Sequence, residues 1–295
     1  MQVSIIIVNY HTVSLVEKTI KSVVDKTKHV EYEIIIVDNN SGDDFSQLEL
    51  LNRCSIRIFH LSENLGFGGA NNYGAKYAKG KYLFFLNPDT LLRNNAIYYL
   101  VDALEQNIEY GIVGGNLFTI DGHPNLSYGL VLPSITDDLY GTTKNIFYKY
   151  YLKKNYFFKS TGKYKDVAYI TGADLMLEAE KFCKIGGFDK RFFMYCEDAD
   201  LSARVKELGY KIVSVPSAEI IHLEGESVDF KEYRYKLTYE GRKVYFKIHH
   251  SCIYILFANF LRVIYMLISC ILCLGHIEKV KLQLKKAQIF LRVNF

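Results

Sequence analysis

Two runs of aliphatic, mostly β-branched residues near the start of the chain constrain the fold more than any other feature. Gln2–Asn9 and Glu33–Val37 have the length of strands and almost no polar interruption, the pattern of strands covered on both faces in a central parallel sheet. Between them, Ser14-Leu15-Val16-Glu17 has capping-box spacing, and the residues that follow to about Lys26 place Leu15, Thr19, Ile20, Val23 and Val24 on one side of a helix. Strand, amphipathic helix and strand make a βαβ unit. Ser55–His60, Tyr82–Leu86 and Ile112–Phe118 add further strands. A chain of 295 residues, 49% hydrophobic, has ample material for one large α/β domain or two small ones.

Open α/β sheets bind ligands beyond the carboxyl ends of their strands, so the strand tips hold the candidate chemistry. The second strand ends in Asp38-Asn39-Asn40-Ser41-Gly42-Asp43. After the third comes Glu63-Asn64-Leu65-Gly66-Phe67-Gly68-Gly69-Ala70-Asn71-Asn72-Tyr73-Gly74. Its third fingerprint position is Asn71 rather than Gly, so the dinucleotide motif fails, and no Gly-Lys-Ser/Thr follows for a phosphate loop. A flexible loop followed by a helix that Gly80 ends is expected, with backbone free to approach a nucleotide. Tyr82–Leu86 stops at Asn87-Pro88-Asp89-Thr90. Asp89 either caps a helix beginning near Leu91 or supplies an oxygen to a hard cation that holds a diphosphate. His222, after the strand Lys211–Val215 and in the run Glu219–Leu223, is either a core histidine or a further metal ligand.

The densest chemistry lies in Gly186-Gly187-Phe188-Asp189-Lys190-Arg191-Phe192-Phe193-Met194-Tyr195-Cys196-Glu197-Asp198-Ala199-Asp200-Leu201. Three carboxylates open a helix with the apolar stripe Leu201, Val205 and Leu208, stopped by Gly209. Acids in a first turn satisfy free N–H groups and oppose the macrodipole whatever the function. Phe192, Phe193 and Tyr195 are not needed for capping, whereas a pocket uses such walls to orient polar groups and exclude water. Asp198 is therefore a candidate general base, which a helix N-terminus would favour in its ionised form. Asp200 and Arg204 have the spacing of a helix ion pair. Part of residues 137–165, rich in Tyr, Lys and Asn, is expected to form a mobile loop facing the substrate.

Val3–Val8 runs straight into Asn9-Tyr10-His11-Thr12 without a basic leader, and the six cysteines lack disulfide-framework spacing, so a reducing, cytoplasmic setting is expected. Cys270 and Cys273 form C-x-x-C inside an apolar run, where a membrane-facing or core role outranks redox or metal chemistry. The net charge of +4 is uneven: residues 229–295 hold 12 Lys and Arg against 4 Asp and Glu. Cys252–Leu274 is long enough to span a bilayer, but Arg262 would lie near its centre and basic clusters flank both ends. One or two helices lying in the cytoplasmic leaflet fit better. A buried helical hairpin or a homodimer interface is the competing reading.

In order along the chain stand Ser4-Ile5-Ile6-Ile7-Val8-Asn9-Tyr10, Val37-Asp38-Asn39, Asn64-Leu65-Gly66, Asn87-Pro88-Asp89, Thr171-Gly172-Ala173, Gly187-Phe188-Asp189, Glu197-Asp198-Ala199-Asp200-Leu201 with Arg204, and His222. Over roughly residues 2–250 this set resembles family 2 glycosyltransferases, in particular the rhamnosyltransferase-like branch of bacterial polysaccharide synthesis. The resemblance implies a GT-A, Rossmann-like fold: a mixed, mostly parallel sheet flanked by helices over residues 1–228, followed at 229–295 by a helical, membrane-associating extension. It implies an inverting transfer from a nucleotide-sugar donor, dTDP-rhamnose first among the choices, to a saccharide or lipid-linked saccharide at the inner face of the cell membrane. Asn9, Tyr10, Asp38, Asn64, Gly66, Asn87, Asp89, Gly172 and Ala173 would contact the donor. Asp89 and His222 would hold Mg²⁺ or Mn²⁺, Asn87 replacing the first Asp of the family's D-x-D motif. Asp198 would be the base, with Glu197, Tyr195 and Arg242 toward the acceptor, the last in the basic segment Arg242-Lys243-Val244-Tyr245-Phe246-Lys247.

Three other readings stay in view. One is a UDP-hexose or UDP-N-acetylhexosamine transferase of the same fold, another a non-catalytic assembly subunit, and the third an NAD-dependent oxidoreductase, which the failed glycine fingerprint disfavours. Nucleic-acid binding is not expected, because the basic charge lies beside an apolar segment rather than along a groove.

Overall fold

The computed structural model describes residues 1–46, 55–136, 164–223, 231–272 and 276–294. The elements run β1 (Val3–Asn9), α1 (Val13–Lys26), β2 (Tyr32–Asp38), β3 (Ser55–His60), α2 (Gly66–Ala75), β4 (Tyr82–Leu86), β5 (Thr90–Leu92), α3 (Ala96–Gln106), β6 (Tyr110–Phe118) and β7 (Tyr128–Gly129). Then come β8 (Lys165–Asp166), β9 (Tyr169–Ile170), β10 (Asp174–Glu178), α4 (Ala179–Lys184), α5 (Glu197–Glu207), β11 (Lys211–His222), α6 (Lys231–His249), α7 (Cys252–Leu272) and α8 (Ile277–Asn294).

The strands make one mixed sheet in the order β3-β2-β1-β4-β10-β6-β11-β5, with β8 alongside β11, and β7 pairs β9 separately. β3, β2, β1 and β4 are parallel, as are β6 and β11; β10 runs antiparallel between β4 and β6. The expected mixed, mostly parallel α/β sheet is the one observed.

Alternation along each strand explains the uninterrupted apolar runs. Ile5, Ile7, Ile34, Ile36 and Phe84 face the layer built by Val16, Ile20 and Val23 of α1 and Ile97, Leu100 and Leu104 of α3. Ile6, Val8, Ile35, Val37 and Phe85 face Ala70, Phe182, Phe188, Leu201 and Val205 on the other side. Each fully buried aliphatic side chain contributes about 1.5–3 kcal/mol relative to exposure, so both faces must be apolar. A charged group is tolerated within this layering: Glu33, buried on β2, accepts from Ser4 Oγ at 2.7 Å, from the Lys79 amide at 2.7 Å and from Arg57 Nη2 at 2.5 Å.

Several local expectations are corrected. α1 starts at Val13 with Thr12 as its cap residue and no side-chain cap bond, so Ser14–Glu17 lies inside the first turn. The turn before it is already satisfied, because Asn9 Oδ1 accepts from the amide and hydroxyl of Thr12. The glycine-rich segment is itself helix α2 rather than a free loop. Its glycines let the helix lie against the sheet: a Cβ at Gly74 would sit 2.8 Å from Ile6 Cγ2. No helix begins near Leu91. Thr90–Leu92 is instead the edge strand β5, paired antiparallel with Ile220–His222, and α3 starts at Ala96. Lys211–His222 is one strand with a register shift between Ser214 and Glu219, not two. Leu208 is exposed, leaving Leu201 and Val205 as the buried stripe of α5. Most of the 137–165 segment, together with Cys54 and Cys273, lies outside the described residues.

The C-terminal residues form three helices. Tyr239, Met266 and Phe290 pack α6, α7 and α8 together, while Tyr245, Phe246 and Ala258 pack with Phe192 and Ala199 beside α5. Over Cys252–Ile271, α7 is long and apolar enough by length and composition to cross a membrane. Its polarity is inverted relative to an ordinary surface helix. Asn259 is buried and accepts from Arg242 Nη1 at 3.3 Å, whereas Ile253, Leu256, Phe257, Phe260, Ile264, Leu267, Ile268 and Ile271 form an exposed stripe.

Candidate functional site at the sheet edge

The carboxyl ends of β1, β2, β3 and β4 converge at one edge, and the polar residues there are joined in pairs. The register puts Asn9 beside Asp38 and Asp38 beside His60. Asn9 Nδ2 lies 3.0 Å from Asp38 Oδ1, 3.0 Å from Ser41 Oγ and 2.8 Å from Asp43 Oδ2. His60 Nδ1 is 3.3 Å from Asp38 Oδ2. Burial alone would raise the Asp38 pKa, but hydrogen bonds from Ser41, Asn9 and His60 outweigh it and hold the carboxyl below its ordinary value. Asp38 thus offers a fixed, ionised acceptor at the sheet tip.

Asn39 and Asn64 bind this edge to α2. Asn39 Nδ2 donates to Asn64 Oδ1 at 2.8 Å, and Asn39 Oδ1 accepts from the Leu65 amide at 2.8 Å. Asn64 Oδ1 also accepts from the Gly66 amide at 2.9 Å. Gly66 has φ +71, and a Cβ there would fall 2.1 Å from the Phe193 carbonyl oxygen, which accepts from the Phe67 amide at 2.9 Å. The loop before the carboxylates is therefore pressed directly onto the start of α2.

Beyond β4, the Asn87 amide donates to Ala173 O at 3.0 Å, joining two predicted donor contacts. Asp89, 3% exposed, sits where β5 meets the end of β11, and His222 Nε2 lies 3.3 Å from its Oδ1. Neither Asp89 Oδ1 nor His222 Nδ1 has a hydrogen-bond partner among the described residues. A carboxylate and an imidazole left unsatisfied side by side suit a borderline divalent cation, which takes oxygen and nitrogen ligands together. No cluster of three or more such side chains is present among the described residues. Thr19, placed by periodicity on the apolar side of α1, braces this turn: its hydroxyl lies 2.6 Å from Pro88 O and 2.7 Å from Thr90 O.

Asp198 is held at the start of α5 by two amides. Gly172 N–H donates to its Oδ2 at 3.0 Å and Ala199 N–H to its Oδ1 at 2.8 Å. The side chain keeps partial solvent access. Desolvation by the surrounding protein nonetheless raises its pKa, and the hydrogen bonds from Ala199 and Gly172 only partly offset this. The expectation that a helix N-terminus leaves this acid simply ionised is thus reversed in direction. Burial outweighs the dipole because the carboxyl is packed against the Gly172 turn, where desolvation penalises its charged form. Beside it stands a second acid. That acid, Glu197, is 5% exposed, its Oε2 has no partner among the described residues, and burial with the Asp198 charge pushes it up to about 8.

Not every predicted site residue joins this edge network. Tyr10 is exposed beyond Asn9. Tyr195, with φ 70, lies just before the acids, its hydroxyl pKa raised by burial. Arg242 is buried within the helical extension, its guanidinium 3.9 Å from the Phe246 ring centroid. Sequence reasoning passed over Ser41, His60, Thr19 and His249; each stands next to a predicted residue only in space, except Ser41, whose place in an Asx-type turn after Asp38 was a usable sign.

Residues 4–172 match the family model described as glycosyl transferase family 2, and residues 155–226 a model described as the N-terminal domain of galactosyltransferase. An N-acetylglucosaminyl-diphospho-decaprenol L-rhamnosyltransferase of Mycobacterium tuberculosis (strain ATCC 25618 / H37Rv) is 26% identical over 211 residues, 66% of this chain and 67% of that one. Rhamnosyltransferase WbbL of Escherichia coli (strain K12) is 26% identical over 229 residues, 75% of this chain and 83% of that one. Among solved structures, GalNAc-T7 with UDP, GalNAc and Mn²⁺ superposes with a TM-score of 0.62 at 17% identity, covering 84% of this chain and 48% of that one. The chain thus spans about half the length of that structure, with which it shares the fold. By the match over residues 4–172, more than half of its length, the chain belongs to glycosyl transferase family 2.

Proposed function

We propose that the protein moves L-rhamnose from dTDP-rhamnose, with inversion, to a hydroxyl of a saccharide or lipid-linked saccharide during bacterial cell-surface polysaccharide synthesis. The observation that carries the reaction class is Asp198: a partly open carboxylate fixed by the amides of Gly172 and Ala199 at the edge where Asn9, Asp38, Asn64, Asn87 and Asp89 converge. The choice of sugar is supported by the two rhamnosyltransferase relatives.

Asp38 would accept from the nucleoside, and the backbone around Gly66 and Gly172–Ala173 would line the donor. An acceptor hydroxyl within about 2.6–3.2 Å of Asp198 would lose its proton to that carboxylate as the oxygen attacks the anomeric carbon. The bond from that carbon to the diphosphate breaks on the opposite face, and the nucleoside diphosphate leaves with the electron pair. Asp89 and His222 would hold Mg²⁺ or Mn²⁺, which when bound stabilises the negative charge gathering on the leaving diphosphate. Glu197, neutral at pH 7 by its raised pKa, would add no second negative charge beside the base. The acceptor would be met at the cytoplasmic membrane surface, where the exposed stripe of α7 lies in the leaflet beside Lys279, Lys281, Lys285 and Lys286 of α8.

Calorimetry of the purified protein against dTDP-rhamnose, UDP-glucose, UDP-galactose and UDP-N-acetylglucosamine, with and without Mn²⁺, tests this. Metal-enhanced binding of dTDP-rhamnose, lost in Asp89→Ala, is expected. Selective binding of a UDP-sugar would replace the donor; binding of none by folded protein would overturn catalysis with these donors.

A further inference from the structure

The segment that bears the acids is bent in a way that does not hold itself. Tyr195 and Cys196 have φ 70 and 69, two consecutive non-glycine residues in the left-handed region immediately before Glu197 and Asp198. Each such residue is strained and persists only where its surroundings impose it. On one side the surroundings are the start of α2, where the Gly66–Phe67 backbone grips Phe193 O.

On the other side they are α6, a helix outside the catalytic sheet. A Cβ on Gly241 would fall 2.3 Å from Tyr195 O and 2.9 Å from Met194 O, so α6 lies backbone to backbone on the strained turn. Eight residues further, about 12 Å along the helix, His249 Nε2 reaches Asp200 Oδ1 at 2.8 Å. Asp200 is fully buried, and its other oxygen accepts from Arg204 Nε at 2.9 Å and Nη2 at 2.7 Å. Between the two points, Tyr245 packs in the cluster that includes Phe192 and Ala199, and its ring lies 4.3 Å from that of His249. The helix thus touches the chain on both sides of Glu197–Asp198.

We propose that α6 is a positioning clamp for the base-bearing segment, with Gly241 seating the Tyr195–Cys196 turn and His249 fixing the first turn of α5 through Asp200. This rests on the reading of Asp198 as the base. Gly241 and His249 are positioning residues, not catalytic ones: they act by placing a carboxylate that must meet the acceptor hydroxyl within a few tenths of an ångström. Because α6 leads directly into α7, the clamp also ties the geometry of the base to the seating of the helical extension.

The test uses the full chain with His249→Ala, His249→Gln and Gly241→Ala, reading kcat, donor KM and deuterium uptake of peptides covering residues 192–200. Gly→Ala inside a helix ordinarily stabilises it, so a loss of turnover in Gly241→Ala with intact helix content runs opposite to propensity. Expected are a kcat lowered about tenfold or more in both His249→Ala and Gly241→Ala, donor KM within about twofold, and faster uptake over 192–200. His249→Gln, which keeps a donor for Asp200, restores kcat to within about threefold of the parent. Unchanged kcat and uptake in the two disruptive variants would overturn the clamp, as would a shift confined to donor KM. Should His249→Ala not fold, Gly241→Ala decides by the same criteria. Retained turnover in Asp198→Asn would remove the base assignment instead, while the uptake measurement would still decide the clamp.

Discussion

The amide of Gly172 donates to Asp198 Oδ2 at 3.0 Å, joining the turn between β9 and β10 to the first turn of α5 across 26 residues of sequence. A carboxylate so tethered has one orientation toward whatever occupies the sheet edge. Asp198→Asn is therefore expected to lower kcat about 10²-fold or more while donor affinity stays near that of the parent, checked by steady-state kinetics and calorimetry. Desolvation raises the Asp198 pKa, and a base at this position would work only when ionised, so activity should fall as pH drops through that raised value. The acid limb of kcat should lie above the ordinary aspartate value.

Glu197 gives a stability prediction of definite sign. Its pKa rises from 4.5 to about 8 on folding, so the folded state binds its proton more tightly than the unfolded chain does. The stability tied to that proton is fully present below about pH 4.5 and is lost as pH rises through about 8. Glu197→Gln, which mimics the neutral acid, should flatten this dependence and melt above the parent at pH 9. Parallel melting curves for the two proteins from pH 5 to 9 would contradict the shift.

Arg57 and Glu33 predict the opposite pH trend. Burial alone would raise Glu33, but bonds from Ser4, the Lys79 amide and Arg57 hold its pKa below 4.5, so its stabilisation is present above that value and fades as pH falls through the lowered one. Arg57→Met leaves this carboxylate buried with one partner fewer. Urea unfolding at pH 7 should show a loss of about 3 kcal/mol, the lower end for breaking a buried pair because Arg57 is partly exposed.

The outward stripe of α7 predicts lipid binding that depends on both apolar area and charge. Leu256 is 65% and Phe260 61% exposed, and they lie one turn apart. The double variant Leu256→Glu with Phe260→Glu should lower flotation with vesicles containing anionic lipid about tenfold, and added salt should weaken the parent's binding. Equal flotation of variant and parent would refute a leaflet-bound α7.

Local sequence was enough for the parts of this protein that depend on local physics. The strands Ser55–His60 and Tyr82–Leu86 have the limits read from the chain, and β1, β2 and β6 differ by a residue or two, because uninterrupted apolar runs ended by polar turns leave a buried strand little choice. The apolar face of α1 and the stop at Gly209, with φ +86, were equally legible. The residues Asp38, Asp89, Asp198 and His222 could be named from their places at strand tips, in a short run and at a helix start, and Asn64 from the family resemblance.

Only the tertiary structure decided what those residues touch. Leu91 reads as a helix start, yet pairing of β5 with β11 turned it into an edge strand and set Asp89 against His222, a partner 133 residues away. Asp200 and Arg204 are a legible i,i+4 pair, but His249, the group on the second oxygen of Asp200, arrives from a helix no periodicity connects to it. The pKa values of Asp198 and Glu197 likewise depend on desolvation by elements distant in sequence, which a helix-terminus argument does not contain. Sequence determines secondary structure where burial and backbone geometry are local properties. Contacts across the sheet edge follow from the packing of whole elements, and that packing sets both the direction of the Asp198 pKa and the helix whose His249 meets Asp200.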